Sequence, residues 1–349
     1  MRRRRRVERV LWSSPPARRL PPLGLAAVLV WSAAGAAPAV AATEHGRVGA
    51  GPRQSWVGQP GVDGPWGITA GPDGALWFTN EGNDSIGRIT TGGTFKFFTG
   101  PKIDSPLGIT VGPDRALWFA NSANNTIGRI TTGGKVSYFS GKGIDSPQAM
   151  SAGPNGAVWF TNNDNNSIGR ITPTGTVTNF SGSGLDAPAG LAAGPDKALW
   201  FTNGESGTIE RISNTGQRTL YSGSDIEATG QITAGPDGAL WFARTHGIGR
   251  ITTTGKVTDY NTPGPYSPQL IARGPGDTLW FLSVESALIG RITTSGKVTM
   301  FSTSHVKGQG VFYHPEGIAE GPDGAMWITT TFAIWRITAS GTITYYTAS

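Results

Sequence analysis

One motif, Gly-Pro-Asp-Gly-Ala-Leu-Trp-Phe with small changes, recurs seven times along the chain. Its Trp falls at Trp77, Trp118, Trp159, Trp200, Trp241, Trp280 and Trp327, at spacings of 41, 41, 41, 41, 39 and 47 residues. A second marker, Arg-Ile after Gly, Glu or Trp, places Arg88, Arg129, Arg170, Arg211, Arg250, Arg291 and Arg336. A unit this short cannot bury its own apolar face, so copies must stack on one another. Seven copies fill the chain beyond position 60 and leave no room for a second domain.

Each copy holds four β-like runs. In the first they are Pro65 to Thr69, Ala75 to Thr79, Ile86 to Thr90 and Thr94 to Phe98. Gly-Pro-Asp-Gly separates runs one and two, and Thr-Gly-Gly separates runs three and four. Both are turn chemistry: Pro presets φ, Asp bonds locally and Gly accepts positive φ. Short runs at even spacing with turns between them indicate antiparallel strands. Four strands per unit of this length is the arithmetic of a β-propeller blade. The expectation is an all-β, seven-bladed β-propeller of four antiparallel strands per blade, over residues 61–349. The extended piece Gln54 to Val57 and the last run, Thr342 to Tyr346, are alternative strands for closing the ring.

The first 42 residues differ from the rest. Arg2 to Arg6, Arg9, Arg18 and Arg19 form a positive region, an apolar stretch runs from Leu23 to Trp31, and small residues lead to Ala39-Val40-Ala41. This is the pattern of a secretory signal peptide over 1–42, followed by an N-terminal extended segment, 43–60. It also explains the formal charge of +6. Residues 1–20 carry eight Arg and one Glu, leaving 21 Lys and Arg against 22 Asp and Glu in the remainder. The mature chain therefore offers no electrostatic case for nucleic acid, and no membrane segment once the leader is removed. With no Cys in the chain, disulfides, thiolate metal sites and a thiol nucleophile are excluded. A secreted bacterial protein, monomeric, is the expectation.

Most recurring residues read as scaffold. Each repeat Trp sits mid-strand between apolar neighbours (Leu76 and Phe78 around Trp77) and suits packing between blades better than stacking on a sugar. The seven Arg are expected on blade flanks, bonded to neighbouring backbone carbonyls. The Asn-rich links, such as Asn80 to Asp84, lack the ligand order of a calcium loop and read as polar turns.

Repeats of the form P-x-G-I-T-x-G-P-D-G-A-L-W-F-T with a following I-G-R-I-T-T-x-G resemble the virginiamycin B lyase family, over about residues 60–347. The resemblance implies a seven-bladed propeller and a magnesium-assisted elimination that opens streptogramin B depsipeptides, an antibiotic-resistance activity. It places catalytic His in the x slot of P-x-G-I, and metal-binding Glu just before that slot and after W-F-x. Here the first slot holds Trp66, Leu107, Gln148, Ala189, Gly230, Gln269 and Glu316, and the second holds Asn80, Asn121, Asn162, Asn203, Arg244, Ser283 and Thr330. No His occupies the first and no acid the second. Where the family has Glu-Pro-His, this chain reads His314-Pro315-Glu316.

Two functions follow. One is a binding propeller with altered or no catalysis, taking a small molecule, peptide or glycan at its central funnel. The other is a magnesium-dependent carbon–oxygen lyase with a relocated base, in which His314 and Glu316 form an acid/base pair and Glu316 alone remains as a metal ligand. No cofactor is certain, and Mg2+ belongs only to the second reading. Trp66, Gln148, Arg244, His246, Gln269, His305, Tyr313 and Thr330 are the expected ligand contacts. Several of them lie in or beside the remodelled mouth formed by the Ser302 to His314 link and the short links of blades five and seven.

Overall fold

The computed structural model describes residues 61–262, 267–283, 288–303, 312 and 314–348. The expected leader, the 43–60 segment, the Gln54 to Val57 strand, His305 and Tyr313 lie outside them. The described residues form seven four-stranded antiparallel sheets, each in chain order. Blade one is β1 (Pro65–Ala70), β2 (Leu76–Asn80), β3 (Ser85–Ile89) and β4 (Phe95–Thr99), within a residue of the expected runs. The same pattern repeats to blade seven: β25 (Gly317–Glu320), β26 (Met326–Thr330), β27 (Ala333–Ile337) and β28 (Ile343–Tyr346). That last blade takes all four strands from the C-terminal repeat.

Period-two alternation puts the two faces of each second strand into two different cores. Trp77 packs with Ile103, Ile109, Leu117 and Phe119 of the next blade. Leu76 and Phe78, on the opposite face, pack with Trp327 and Ile334 of blade seven. Seven such cores, one between each pair of consecutive blades, make the ring. Each repeat Trp is fully buried, and Trp77 stacks on Phe98 of its own fourth strand at 5.1 Å and 14°. The inter-blade role expected for these indoles is the one they have.

The ring closes between blades seven and one by hydrogen bonds as well as packing. Val62 N donates to Ala348 O at 3.1 Å, Gly64 N to Thr331 O at 3.0 Å, and Thr329 Oγ1 to Trp66 O at 2.5 Å. The last of these recurs in other blades. The register of β1 against β2 slips between Pro65 and Ile68, which frees ladder groups on the inner strand. The Thr of the second strand takes them up: Thr79 Oγ1 accepts from Gly67 N at 2.9 Å and donates to Leu107 O of the next blade at 2.5 Å. Inner strands approach so closely that a Cβ on Gly108 would lie 2.3 Å from Gln148 O, which accounts for Gly at that place in the motif.

The repeat Arg residues need a correction. Five of them do not seek backbone carbonyls. Arg88, Arg129, Arg211, Arg250 and Arg336 pair with the turn aspartates Asp73, Asp114, Asp196, Asp237 and Asp323 at 2.5–2.7 Å. Only Arg170 and Arg291 reach carbonyls, Asn214 O at 3.4 Å and Ala339 O at 2.8 Å. Their turns carry Asn155 and Gly276 where the others carry Asp, so the guanidinium lacks the turn carboxylate that pairs with it in the other blades.

Candidate functional site

The seven first strands surround a central cavity of 410 Å³, lined in three tiers. The outermost tier is the x slot of P-x-G-I, represented by Trp66, Gln148, Ala189, Gly230, Gln269 and Glu316. Below it lies the Gly slot, and below that an apolar tier including Ile68, Met150, Leu191 and Ile318. Pro65 pairs with Asn80 and Pro147 with Asn162. First strands therefore begin where second strands end, and the x-slot positions share one mouth. An apolar floor with a few polar groups at the rim is the usual composition of a ligand pocket.

Four of the residues expected from sequence meet in this cavity: Trp66, Gln148, Gln269 and Glu316. Trp66 is 36% exposed, whereas the seven repeat Trp are buried. Gln231 also lines the wall, and sequence reasoning missed it. Its signal was a Gln standing where most repeats carry the Gly of P-x-G-I.

The second slot lies at the same end of each blade but turns away from the cavity. Asn162 is fully buried. Its Oδ1 accepts from Asp145 N at 3.0 Å, and its Nδ2 donates to Gly143 O and Ser167 Oγ at 2.9 Å each. Asn80 makes the corresponding bonds to Asp63 N, Gly61 O and Ser85 Oγ. These amides clamp the incoming link onto the blade. A carboxylate has no donor with which to replace them. The polar-turn reading of the Asn-rich links therefore holds for these links.

Arg244 and Thr330 fill the clamp position in blades five and seven, where the links shorten to two residues. Arg244 is 6% exposed; it donates to Ile226 O at 3.2 Å and Ser224 O at 3.4 Å, and pairs with Asp259 at 3.2 Å. Thr330 Oγ1 donates to Ala333 O at 3.2 Å. Neither is among the residues lining the cavity, and both brace its mouth. His246 is exposed in the short turn of blade five and also stands off the cavity wall.

His314 and Glu316 part company as well. His314 takes a left-handed conformation, φ 43°, as Ser105, Ser146 and Ala187 do at the same turn of earlier blades. It is exposed and off the cavity wall, Pro315 is buried between, and Glu316 lines the cavity. The expected acid/base pair is thus split by the turn that opens each first strand. Glu316 is the only ionisable side chain among the described lining residues. Its amide donates to Thr329 O at 3.1 Å. Burial, and then the nearby Glu81 carboxylate, push its acid up to about 7.

The magnesium set implied by the resemblance does not fit these residues. A hard cation takes oxygen ligands, usually carboxylates. The second slot offers clamped amides, a guanidinium and hydroxyls. Among the described residues, no group of three or more His, Asp and Glu is placed to hold a metal ion.

A family model described as the virginiamycin B lyase family matches residues 40–228 and 182–349. A solved streptogramin B lyase is 31% identical, with a TM-score of 0.71, covering 78% of this chain and 95% of that one. Virginiamycin B lyase from Staphylococcus aureus is 32% identical, with a TM-score of 0.70, covering 77% of this chain and 92% of that one. A catalytically inactive His-to-Ala variant of the Staphylococcus aureus enzyme, solved with quinupristin, is 31% identical, with a TM-score of 0.70 and the same coverage of both chains, 77% and 92%. The organism of these relatives supports a bacterial origin. No curated protein matches the chain.

Proposed function

The chain belongs to the virginiamycin B lyase family, and from that premise we propose that its funnel is the binding site for a compact, amide-rich ligand of the cyclic depsipeptide class. The observation that carries this reading is the make-up of the 410 Å³ cavity: an exposed indole, several carboxamides and one carboxyl over an apolar floor. Carboxamides both donate and accept, which suits the peptide groups of such a ligand. The indole supplies a flat apolar face. The Arg-rich start followed by an apolar stretch supports action outside the cytoplasm.

Glu316 supports a second reading, an elimination without hydrolysis. An acid pushed up to about 7 is near half-ionised at neutral pH, the condition in which a general base works best. As carboxylate it would take a proton from carbon next to a carbonyl. The freed electron pair forms a carbon–carbon double bond, and the ester C–O bond breaks with departure of a carboxylate. The ring opens without change of mass. No step is routed through a divalent ion.

Incubation of the purified chain with a streptogramin B depsipeptide, followed by chromatography with mass detection, tests both readings. Retention of the compound on the protein with no new product supports binding alone. A new peak of equal mass, lost in Glu316→Gln, supports elimination. A product heavier by one water refutes elimination, and absence of both binding and product refutes the depsipeptide reading.

A further inference from the structure

Charge and aromatic surface are not spread evenly around the funnel. Blades two to six contribute only neutral side chains to the described wall, whereas blade seven contributes Glu316 and blade one Trp66. The seam between these blades gathers more of the same chemistry through the backbone of one residue. Gly64, two positions before Trp66, donates its N–H to Thr331 O at 3.0 Å and accepts from Glu81 N at 3.0 Å. Thr331 is followed by Phe332, which is 68% exposed. Glu81 is exposed, accepts from Ser105 Oγ at 3.1 Å, and lies near enough to Glu316 to act on its charge. The seam therefore gathers two carboxyls, neither of them ion-paired among the described residues, with Trp66 and the exposed Phe332. A cation over an aromatic face, with carboxylates beside it, is held by the ring quadrupole and by charge together.

We propose that the mouth sector between blades seven and one is a subsite for an alkylammonium group of the ligand, seated against Trp66 and between the Glu316 and Glu81 carboxylates. The subsite rests on the reading of the funnel as a ligand site, and it narrows the ligand class to compounds bearing a protonated amine. The carboxamide side of the funnel, with Gln148 and Gln269, takes the neutral remainder.

A matched pair of probes tests this on the full chain: 4-fluorobenzylamine, cationic, and 4-fluorobenzyl alcohol, neutral, each followed by fluorine NMR line broadening at about pH 8. The ammonium is expected to bind about tenfold more tightly than the alcohol. Glu316→Gln should remove most of that preference and leave the alcohol unchanged, and Glu81→Gln should remove a smaller part. Trp66→Ala should weaken the ammonium while circular dichroism stays that of the parent. Equal binding of the two probes, no binding of the ammonium, or an unchanged preference in Glu316→Gln overturns the subsite. Retention of a streptogramin B depsipeptide alongside any of those results would leave the funnel reading standing and remove only the cationic subsite. Loss of both would remove the two together.

Discussion

The indole Nε1 of Trp118 donates to Asp114 Oδ1 at 2.9 Å, across the turn that joins the first two strands of its blade. The other carboxylate oxygen of Asp114 takes Arg129 Nε at 2.5 Å. One side chain thus ties the buried indole to the flank of the third strand. The arrangement recurs in blades one, four, five and seven. It is missing from blades three and six, and there the buried Trp159 and Trp280 Nε1 have no partner.

Supplying the missing acceptor should stabilise the ring. Asn155→Asp gives Trp159 and Arg170 the carboxylate their counterparts have, and is expected to add about 1 kcal/mol. Asp114→Ala should cost about 1–3 kcal/mol, since it leaves an indole N–H without a partner. Paired denaturant melts of the two variants check both values.

Acid should loosen every such turn. Burial works against ionisation of Asp73, Asp114, Asp196, Asp237 and Asp323, but hydrogen bonds from the indole and guanidinium outweigh it and hold each carboxyl below its ordinary value of 3.8. A depressed carboxyl contributes stability that is present above its unfolded pKa and lost as pH falls through the folded one. The melting temperature should therefore drop below about pH 4, and the drop should shrink in a variant with several of these Asp replaced by Asn.

Glu316 has the opposite sign. Its raised acid favours the folded state below its unfolded value of 4.5, and that contribution is lost as pH climbs towards about 7. Glu316→Gln should equal the parent in stability near pH 4 and exceed it by about 1–2 kcal/mol at pH 8. Thermal melts across that range check it, independently of any ligand.

Two tryptophans should separate fold from function. Trp77 is fully buried between blades one and two, and Trp77→Ala is expected to cost about 3–5 kcal/mol. Trp66 lines the mouth at 36% exposure. Trp66→Ala should shift stability by less than about 1 kcal/mol and show instead as weaker ligand retention.

Chelation should leave both stability and binding unchanged. The position after W-F-x is filled by buried amides such as Asn162, whose donors and acceptors are spent on the link before the blade. Melts and retention assays with and without a chelator check this directly, and a magnesium-dependent gain in either would contradict it.

The seven-bladed ring was legible from the sequence because it is a periodic demand. A Trp recurring at spacings of 39 to 47 residues, set among alternating apolar neighbours with recurring turns, admits few ways to bury all seven indoles. Trp66, Gln148, Gln269 and Glu316 were legible for the same reason: register alone puts the x slot at the funnel mouth. The fate of the remaining candidates was decided by contacts between segments distant in sequence. A left-handed turn parts His314 from Glu316, and Arg244 is drawn to carbonyls 18 and 20 residues earlier in the chain. Glu81 is brought to Glu316 only by closure of the ring, since 235 positions separate them in the chain. Periodicity determines which residues share a face. Direction and partnership of a polar side chain depend on which unsatisfied backbone groups the folded neighbours present to it, and those exist only once the blades have met.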